Sequence, residues 1–269
     1  MMRKIAKIKI KDKKYEIDLN KFYDISISID IDKKSPSFYD EDPIKINYYK
    51  DQNNKIWSTK EGASCNIPII DLNIHCGSTH SECRSHITKE DLYISEIIDS
   101  SFMPCILISV EPTKLIGHDN YHCKTDEKDY IITKEILLDK LESSIDNNIE
   151  ALIIRTLPNI PDEISSKNYN NEENPFFSNE AINYIRLLGI KHLVIDLPSI
   201  DKINDGGLLG NHRIFWDLEK EGNRNTITEF ALIDNSINDG FYLLSLSILN
   251  INLDTSPSRP LIYPILKKS

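Results

Sequence analysis

The chain lacks an apolar run that approaches the roughly 20 residues needed to span a bilayer. It also lacks an excess of positive charge: 42 Asp and Glu against 32 Lys and Arg give a formal net charge of −10. Nucleic acids are bound through basic surfaces, so this acidity disfavours DNA or RNA as the main partner. We therefore expect no membrane and no nucleic-acid partner, and the composition favours small-molecule chemistry.

The cysteines show no pairing pattern, and we expect no signal peptide. The five cysteines form no CxxC pair, and an odd, unpaired set favours a reducing compartment over a disulfide scaffold. The first residues, MMRKIAKIKIKDKKYEIDL, are basic but alternate polar with apolar side chains, whereas a signal peptide needs an apolar core. We expect a cytoplasmic protein.

The composition, with 40% hydrophobic and 28% charged residues, is typical of a folded globular protein. At its start, Lys7, Lys9 and Lys11 alternate with apolar residues and KDKK leads into YEIDL, which predicts a β-hairpin with a solvated lysine face. A third alternating run, YDISISID, follows. The C-terminal part is again strand-like, in TITEFALI, FYLLSLSILNINL and SPSRPLIYPI.

Short apolar runs of buried-strand length alternate with amphipathic helices in the middle of the chain. The runs are PCILISV, ALIIRT and HLVIDL. Between the first two, TKEILLDKLESSI predicts a helix capped by Thr133. Its apolar face is formed by Ile136, Leu137, Leu141 and Ile145. SNEAINYIRLLGI predicts a second helix that is capped by Ser178 and stops at Gly189.

Two strand–helix–strand units predict a mixed α/β core in a single domain over residues 1–269. Residues 32–60 are polar and rich in Asp, Lys, Asn and Tyr, and residues 157–177 are rich in Asn, Pro and Glu. We expect both segments to be surface excursions, and the first has the composition of a lid.

The stretch NIHCGSTHSECRSH, residues 73–86, holds three of the seven histidines together with a glutamate. The apolar run NIPIIDLNIH leads into it and predicts a buried strand that ends at the cluster. Imidazole nitrogens and carboxylate oxygens are the ligands of zinc, manganese and iron, so His75, His80, Glu82 and His86 could supply much of a metal site. On spacing alone, ordinary surface histidines remain an equal alternative.

This stretch resembles the signature of the metal-dependent cyclase-like hydrolases, the family of the bacterial kynurenine formamidases, which reads H-x-G-T-H-x-D-x-P-x-H after an apolar strand. The chain has H-C-G-S-T-H-S-E-C-R-S-H, in the same order. One extra residue lies between His75 and His80, Glu82 stands in place of the usual aspartate, and Cys83-Arg84 replaces a small residue and a proline. The extra residue leaves open whether His75 is a metal ligand or lies outside the ligand shell.

Other segments resemble the family in the same order along the chain. FYDISISI resembles its opening strand with an Asp-(Leu/Ile)-Ser element, and ALIIRT resembles an internal strand that ends in Arg-Thr. LGIKHLVIDLPSIDK resembles the segment with an Asp-x-x-Ser-x-Asp pattern, here Asp196, Ser199 and Asp201. GNHRIFW then contributes His212, and TITEFALI contributes Glu229.

The resemblance implies a binuclear divalent-metal centre, with zinc favoured and manganese as the alternative, that takes ligands from both halves of the chain. The implied ligands are His75, His80, Glu82, His212 and Glu229, with Glu82 as the bridge. His86 would donate and accept the proton. The implied reaction is attack of metal-activated water on the carbonyl carbon of a small amide, formamide, cyclic amide or ester.

The resemblance also implies a swivelling β/α domain, with a mixed β-sheet flanked by helices, that assembles as a homodimer or higher homo-oligomer. Two alternatives stay open at this point. One is a metal-dependent lyase or cyclase that acts on a small carbonyl compound, which product analysis would identify. The other is a catalytically silent paralogue that only binds, for which metal occupancy without turnover would be the sign.

Other acidic and metal-binding side chains have simpler interpretations. Glu219 and Glu221 compete with Glu229 for its role, but they lie in a charged run that is typical of a solvated face. A second, weaker candidate metal cluster lies in the polar segment GHDNYHCKTDEKD: His118, His122 and Cys123.

Overall fold

The computed structural model describes residues 3–30, 34–98, 100–114, 119–141, 148–171 and 173–268. The strands are β1 (Ile5–Ile10), β2 (Lys13–Asp18), β3 (Tyr23–Asp24), β4 (Ile44–Tyr48), β5 (Pro68–Leu72), β6 (His80–Cys83), β7 (Met103–Val110), β8 (Ile131–Ile132), β9 (Ala151–Thr156), β10 (Phe176–Phe177), β11 (His192–Ile195), β12 (Thr226–Glu229), β13 (Gly240–Ile248) and β14 (Thr255–Lys268). The helices are α1 (Ile74–Gly77), α2 (Ile94–Ile97), α3 (Lys134–Leu141), α4 (Pro161–Ile164), α5 (Asn179–Leu187) and α6 (Gly210–Phe215).

Seven strands close into a ring. In the order β14, β13, β7, β9, β11, β12 and β6 each strand pairs with the next, and β6 pairs back onto β14. Strands β7, β9, β11 and β12 run parallel to one another, whereas β6, β13 and β14 pair with their neighbours antiparallel. The predicted N-terminal hairpin is formed by β1 and β2, and β2 extends the sheet from β14. This closed, mixed sheet confirms the predicted mixed α/β class.

The parallel strands are buried on both faces. Along β7, Ile106 and Ile108 join the apolar layer formed with α3, α5 and α6, while Cys105 and Leu107 join the core on the opposite face. A strand covered on both faces reads as a continuous apolar run. This accounts for PCILISV, ALIIRT and HLVIDL in the sequence, and it makes the ring a rigid support for residues at its edge.

Both predicted helices are confirmed. Helix α3 buries Leu137 and Leu141, whereas the predicted face residue Ile145 lies outside the described residues. The hydroxyl oxygen of Ser178 accepts a hydrogen bond from a first-turn backbone N–H of α5, and Gly189 follows the helix with φ of 77°, in the left-handed region that glycine adopts easily. Within the part of the chain that the structure describes, no helix is long and apolar enough to cross a membrane.

The predicted strand ahead of the histidine cluster exists but lies outside the core. Strand β5 pairs with β4 in a separate two-stranded sheet, and Ile69 and Ile70 are 49% and 56% exposed. The expectation of a buried strand was wrong because β6, the following segment, takes the place in the ring. The histidine cluster is therefore supported by β6 and not by β5.

The two segments predicted as surface excursions differ in burial. Residues 32–60 contain β4, which lies in the two-stranded sheet outside the ring, and residues 32 and 33 lie outside the described residues. Residues 157–177 begin at the surface with α4 but end in β10, where Phe176 and Phe177 are buried. The end of that segment belongs to the core because two large aromatic side chains pack there.

Candidate metal centre

Strand β6 carries two of the predicted ligands and closes the ring. His80 and Glu82 are two residues apart on the strand, so their side chains point to the same face. In the antiparallel pairing with β12, Glu229 lies directly opposite His80, and Ile227 lies opposite Glu82. On the other side, Thr255 of β14 lies opposite Glu82. Closure of the sheet therefore brings Glu229, from the C-terminal half, onto the histidine segment.

One ring nitrogen of His80 has no hydrogen-bond partner in the described part of the chain and faces Glu229. Its Nδ1 lies 2.8 Å from the carbonyl oxygen of Ser78 and donates to it, which leaves the lone pair on Nε2. Nε2 is buried, lies 3.5 Å from Oε2 of Glu229, and has no hydrogen bond of acceptable geometry among the described residues. An unsatisfied buried nitrogen is costly. A metal ion held between this imidazole and the carboxylate would satisfy it, so these residues fit the implied metal.

Helix α6 brings His212 to the same carboxylates. Its Nε2 lies 3.0 Å from Oε1 of Glu82 and 3.7 Å from Oε1 of Glu229. Its Nδ1 lies 2.6 Å from Oδ2 of Asp201, which also accepts the backbone N–H of His212 at 3.2 Å. Asp201 thus caps the start of the helix and fixes the imidazole so that Nε2 faces the centre.

His75 and His86 occupy the solvent side of the cluster. Their rings stack with centroids 4.3 Å apart and planes at 29°. Nδ1 of His75 lies 3.3 Å and Nε2 of His86 lies 3.8 Å from the same atom, Oε2 of Glu82. Both side chains are partly exposed, by 30% and 28%, whereas His80, Glu82 and His212 are buried. His86 can therefore exchange protons with solvent.

Burial and mutual contacts shift the pKa values of the cluster. Burial opposes ionisation of Glu82, but hydrogen bonds from His212 and His75 prevail and hold its pKa well below the usual range. Burial and the negative charge of Glu82 raise the pKa of Glu229. In spite of burial, contacts with Asp254 and Glu82 raise the pKa of His75 to about 10, and carboxylates raise the pKa of His212 well above its usual value. The positive charge of the protonated imidazoles thus balances the negative charge of the carboxylates. A divalent cation would take over that positive charge.

The side chains form two groups that could each hold a metal ion. One consists of His80, Glu82 and Glu229, the other of His75, Glu82 and His86, and in each group the possible ligand atoms lie within 4.8 Å of one another. The groups share Glu82, which offers one oxygen to each side. Imidazole and carboxylate ligands suit both zinc and manganese. Either group could hold one ion, and Glu82 belongs to both.

All six residues singled out in the sequence meet in this one cluster: His75, His80, Glu82, His86, His212 and Glu229. Their roles as ligands and as proton carrier stay predictions. The competing Glu219 and Glu221 are exposed, outside the cluster.

Two further carboxylates, Asp201 and Asp254, contact the histidines of the cluster, and neither is predicted from the sequence as a site residue. Asp201 stood out only as part of the Asp-x-x-Ser-x-Asp pattern, which was the signal available. Asp254 lies with Oδ2 at 3.0 Å from Nδ1 of His86. No local signal pointed to it, because a polar residue directly ahead of a strand is common.

Side chains near the second candidate cluster accept hydrogen bonds from the backbone at the start of α6. His122 lies beside Asp205 and Asp201, at 3.4 and 3.7 Å, and these three residues could geometrically hold an ion. However, backbone N–H groups at the start of the helix donate to Nε2 of His122 at 3.3 Å and to Oδ2 of Asp205 at 2.6 Å. Cys123 is not part of this group, and His118 lies outside the described residues. These side chains therefore serve as helix caps.

Comparisons with known proteins identify the family of the chain. The model of the family described as "Putative cyclase" matches residues 23–202. The kynurenine formamidase of Bacillus thuringiensis (strain Al Hakam) is 28% identical over 214 residues, which cover 78% of this chain and 85% of that enzyme.

Solved structures share the fold. A predicted metal-dependent hydrolase from Bacillus stearothermophilus matches with a TM-score of 0.58 at 18% identity, over 90% of this chain and 98% of that one. Isatin hydrolase A from Labrenzia aggregata matches with a TM-score of 0.59 at 15% identity, over 90% of this chain and 93% of that one. Because the family match extends over well more than half of the sequence, the chain belongs to the cyclase family.

Proposed function

We propose that this chain is a divalent-metal-dependent hydrolase that cleaves a small amide, formamide or cyclic amide or ester. The observation that carries the proposal is the pair of buried carboxylates, Glu82 and Glu229, faced by Nε2 of His80 and Nε2 of His212. In both imidazoles the other nitrogen is held by a hydrogen-bond acceptor. Once Nε2 of His212 has given up its proton, both imidazoles would turn a lone pair towards the two carboxylates, a ligand set that suits a cation and has no use in an apolar core.

The chemistry that a divalent ion supplies when bound in such a site is activation of water and polarisation of a carbonyl oxygen. The residues that would hold it are His75, His80, Glu82, His212 and Glu229. His75 lies on the short helix α1, and the other four ligands are held on the closed sheet and the capped helix α6, so little reorganisation of these four accompanies binding.

His86 is proposed to move the proton. It lies at the partly exposed rim, with Nε2 facing Glu82 Oε2 at 3.8 Å and Nδ1 facing Asp254. From there it can give a proton to the amine or alcohol that leaves and take one from incoming water. An imidazole suits both transfers because its ordinary pKa of about 6.5 is close to neutrality.

The relatives indicate the kind of substrate. One is a kynurenine formamidase and another is an isatin hydrolase, so one acts on a formamide and the other on a cyclic amide. We propose that this chain also acts on the C–N bond of a small, non-peptide amide. The replacement of the usual aspartate by Glu82 and the extra residue after His75 favour a substrate different from that of either relative.

The finer features expected from the sequence remain part of the proposal. These are zinc in preference to manganese, two metal ions, a homodimer or higher homo-oligomer, a cytoplasmic location and a swivelling type of β/α domain. The shared Glu82 supports the binuclear arrangement, because a single carboxylate lies between two groups of possible ligands.

The test is an assay of purified protein supplied with zinc or with manganese against N-formylkynurenine, isatin, aryl formamides and aryl esters. Hydrolysis is expected, with kcat lowered about 10²–10⁴-fold in His86→Gln. His192→Gln is the matched control, because His192 is hydrogen-bonded to Thr226 away from the site. Metal binding without turnover of any compound would instead indicate a silent paralogue, and a non-hydrolytic product would indicate a lyase.

A further inference from the structure

Asp254 lies against both histidines of the solvent side. Its Oδ2 is 3.0 Å from Nδ1 of His86 and 3.7 Å from Nε2 of His75. The opposite nitrogens of the same two rings face Oε2 of Glu82. The stacked imidazole pair is therefore clamped between two carboxylates, Glu82 on the inside and Asp254 on the outside.

The backbone holds Asp254 in this position. The residue directly precedes β14, and its carbonyl oxygen accepts the N–H of Cys83 at 3.0 Å. The next residue, Thr255, lies opposite Glu82, and its hydroxyl donates to the carbonyl oxygen of Ser81 at 3.1 Å. The strand pairing that closes the ring thus fixes Asp254 relative to β6, the strand that carries the central ligands.

We propose that Asp254 is a positioning residue for His75 and His86 together, an inference that rests on the proposed function. Accepting from Nδ1–H of His86 leaves the lone pair of that ring on Nε2, the nitrogen that faces the centre. The carboxylate charge 3.7 Å from Nε2 of His75 favours a proton on that nitrogen and leaves the lone pair on Nδ1, so this ligand would use the opposite nitrogen from His80 and His212. Asp254 would thereby compensate for the residue inserted between His75 and His80, by holding the ring from outside.

The arrangement repeats the one around His212. There Asp201 holds Nδ1 and Nε2 faces Glu82. Asp254 differs because one oxygen serves two rings, one of which is a proposed metal ligand and the other the proposed proton carrier. A substitution of Asp254 should therefore affect metal binding through His75 and turnover through His86. Replacing His75 should abolish the first effect, and replacing His86 should abolish the second.

The experiment measures zinc affinity, by competition with a chromogenic chelator, and steady-state kinetics for Asp254→Asn. Zinc affinity is expected to fall about 10–100-fold, and kcat is expected to fall about tenfold or more with little change in KM. In a His75→Ala background the further loss of zinc affinity should disappear, since the remaining ligands bind without Asp254. In a His86→Gln background the further loss of kcat should disappear. Asp254→Glu, which keeps a carboxylate, should retain more zinc affinity than Asp254→Asn.

The control is Asp217→Asn. Asp217 is exposed to the same degree as Asp254, 30% against 31%, and is paired with Arg186 away from the site. Zinc affinity and kcat of Asp254→Asn within twofold of wild type would overturn the positioning role. A lower number of bound zinc ions per chain at saturating zinc would overturn it too, by making Asp254 itself a ligand. Wild-type protein that binds neither zinc nor manganese would overturn the proposed function together with this inference, whereas the other two outcomes leave the proposed function standing.

Discussion

Oε1 of Glu82 lies 3.0 Å from Nε2 of His212, although 130 residues separate the two in the chain. Oε2 of the same carboxylate faces His75 and His86. One buried side chain thus connects the N-terminal histidine segment with a helix of the C-terminal half. Changes at Glu82 are expected to reach every other member of the cluster.

The length of the Glu82 side chain should be critical. Aspartate is one methylene shorter and cannot reach both His212 and the stacked histidines from the same backbone position. Glu82→Asp is expected to weaken zinc binding at least about tenfold, the loss that corresponds to one hydrogen bond to a charged group. Competition titration measures this, with the exposed Glu221→Asp as the control. Unchanged affinity in Glu82→Asp would mean that the longer side chain has no role.

Asp201 should contribute to both stability and metal binding, in contrast to its neighbour Asp205. Both carboxylates accept backbone N–H groups at the start of α6, but Asp201 alone of the two holds Nδ1 of His212. Asp201→Asn and Asp205→Asn are both expected to lower the free energy of unfolding by about 1–3 kcal/mol. Only Asp201→Asn should also lower zinc affinity, about 10–100-fold. Urea unfolding and zinc titration of the two variants test this, and equal zinc affinities would contradict it.

A buried acid outside the site should make stability depend on pH. Burial raises the pKa of Asp196 to about 7, although hydrogen bonds from Thr156 act in the other direction. The folded protein therefore keeps a proton between about pH 4 and pH 7 that the unfolded chain releases. Stability from this group is fully present below pH 3.8 and is lost as the pH rises to about 7, on the order of 4 kcal/mol in total.

The neutral variant Asp196→Asn has no such proton to lose. Relative to wild type, it should gain stability as the pH is raised from about 4.5 to about 8. Urea unfolding at the two pH values measures the difference, and other titrating groups cancel because they are common to both proteins. Parallel pH curves for the two proteins would show that Asp196 is ionised in the folded state.

The cap of α5 gives a prediction that is independent of the site. The hydroxyl oxygen of Ser178 accepts from the N–H of Ala181 at 3.1 Å, and the hydroxyl donates to Asp119 at 2.6 Å. Ser178→Ala is expected to lower the free energy of unfolding by about 1 kcal/mol without changing zinc affinity. The exposed Ser28→Ala is the control, for which no measurable change is expected. A stability equal to wild type would contradict the capping role.

The ring strands can be predicted from the sequence where burial on both faces requires a continuous apolar run. Strands β7, β9 and β11 are covered on both faces, and each appears in the sequence as an unbroken apolar run. Helix α5 is predictable from its serine cap and its glycine stop. Strand β5 shows the limit: it has the same apolar composition but lies in an exposed ribbon, because which strand enters a ring depends on pairing partners far away in the chain.

The same distinction applies to the site. His75, His80, Glu82 and His86 are recognisable because they lie within twelve residues of one another. Asp254 is not, because its position follows from the pairing of β6 with β14, and nothing in its immediate neighbours differs from an ordinary loop. Site residues that lie close together in the chain can be predicted from the sequence. Residues that reach the site through strand pairing are identified only from the fold.

In the proposed function, side chains from both halves of the chain form one metal site. The direct measurement is metal content per chain of protein purified without chelator, for wild type and for His80→Ala, His212→Ala and Glu221→Ala. One to two equivalents of zinc or manganese are expected in wild type and Glu221→Ala, with strong losses in both histidine variants. Wild-type protein without metal, even after incubation with zinc or manganese, or full occupancy in His212→Ala, would contradict the account.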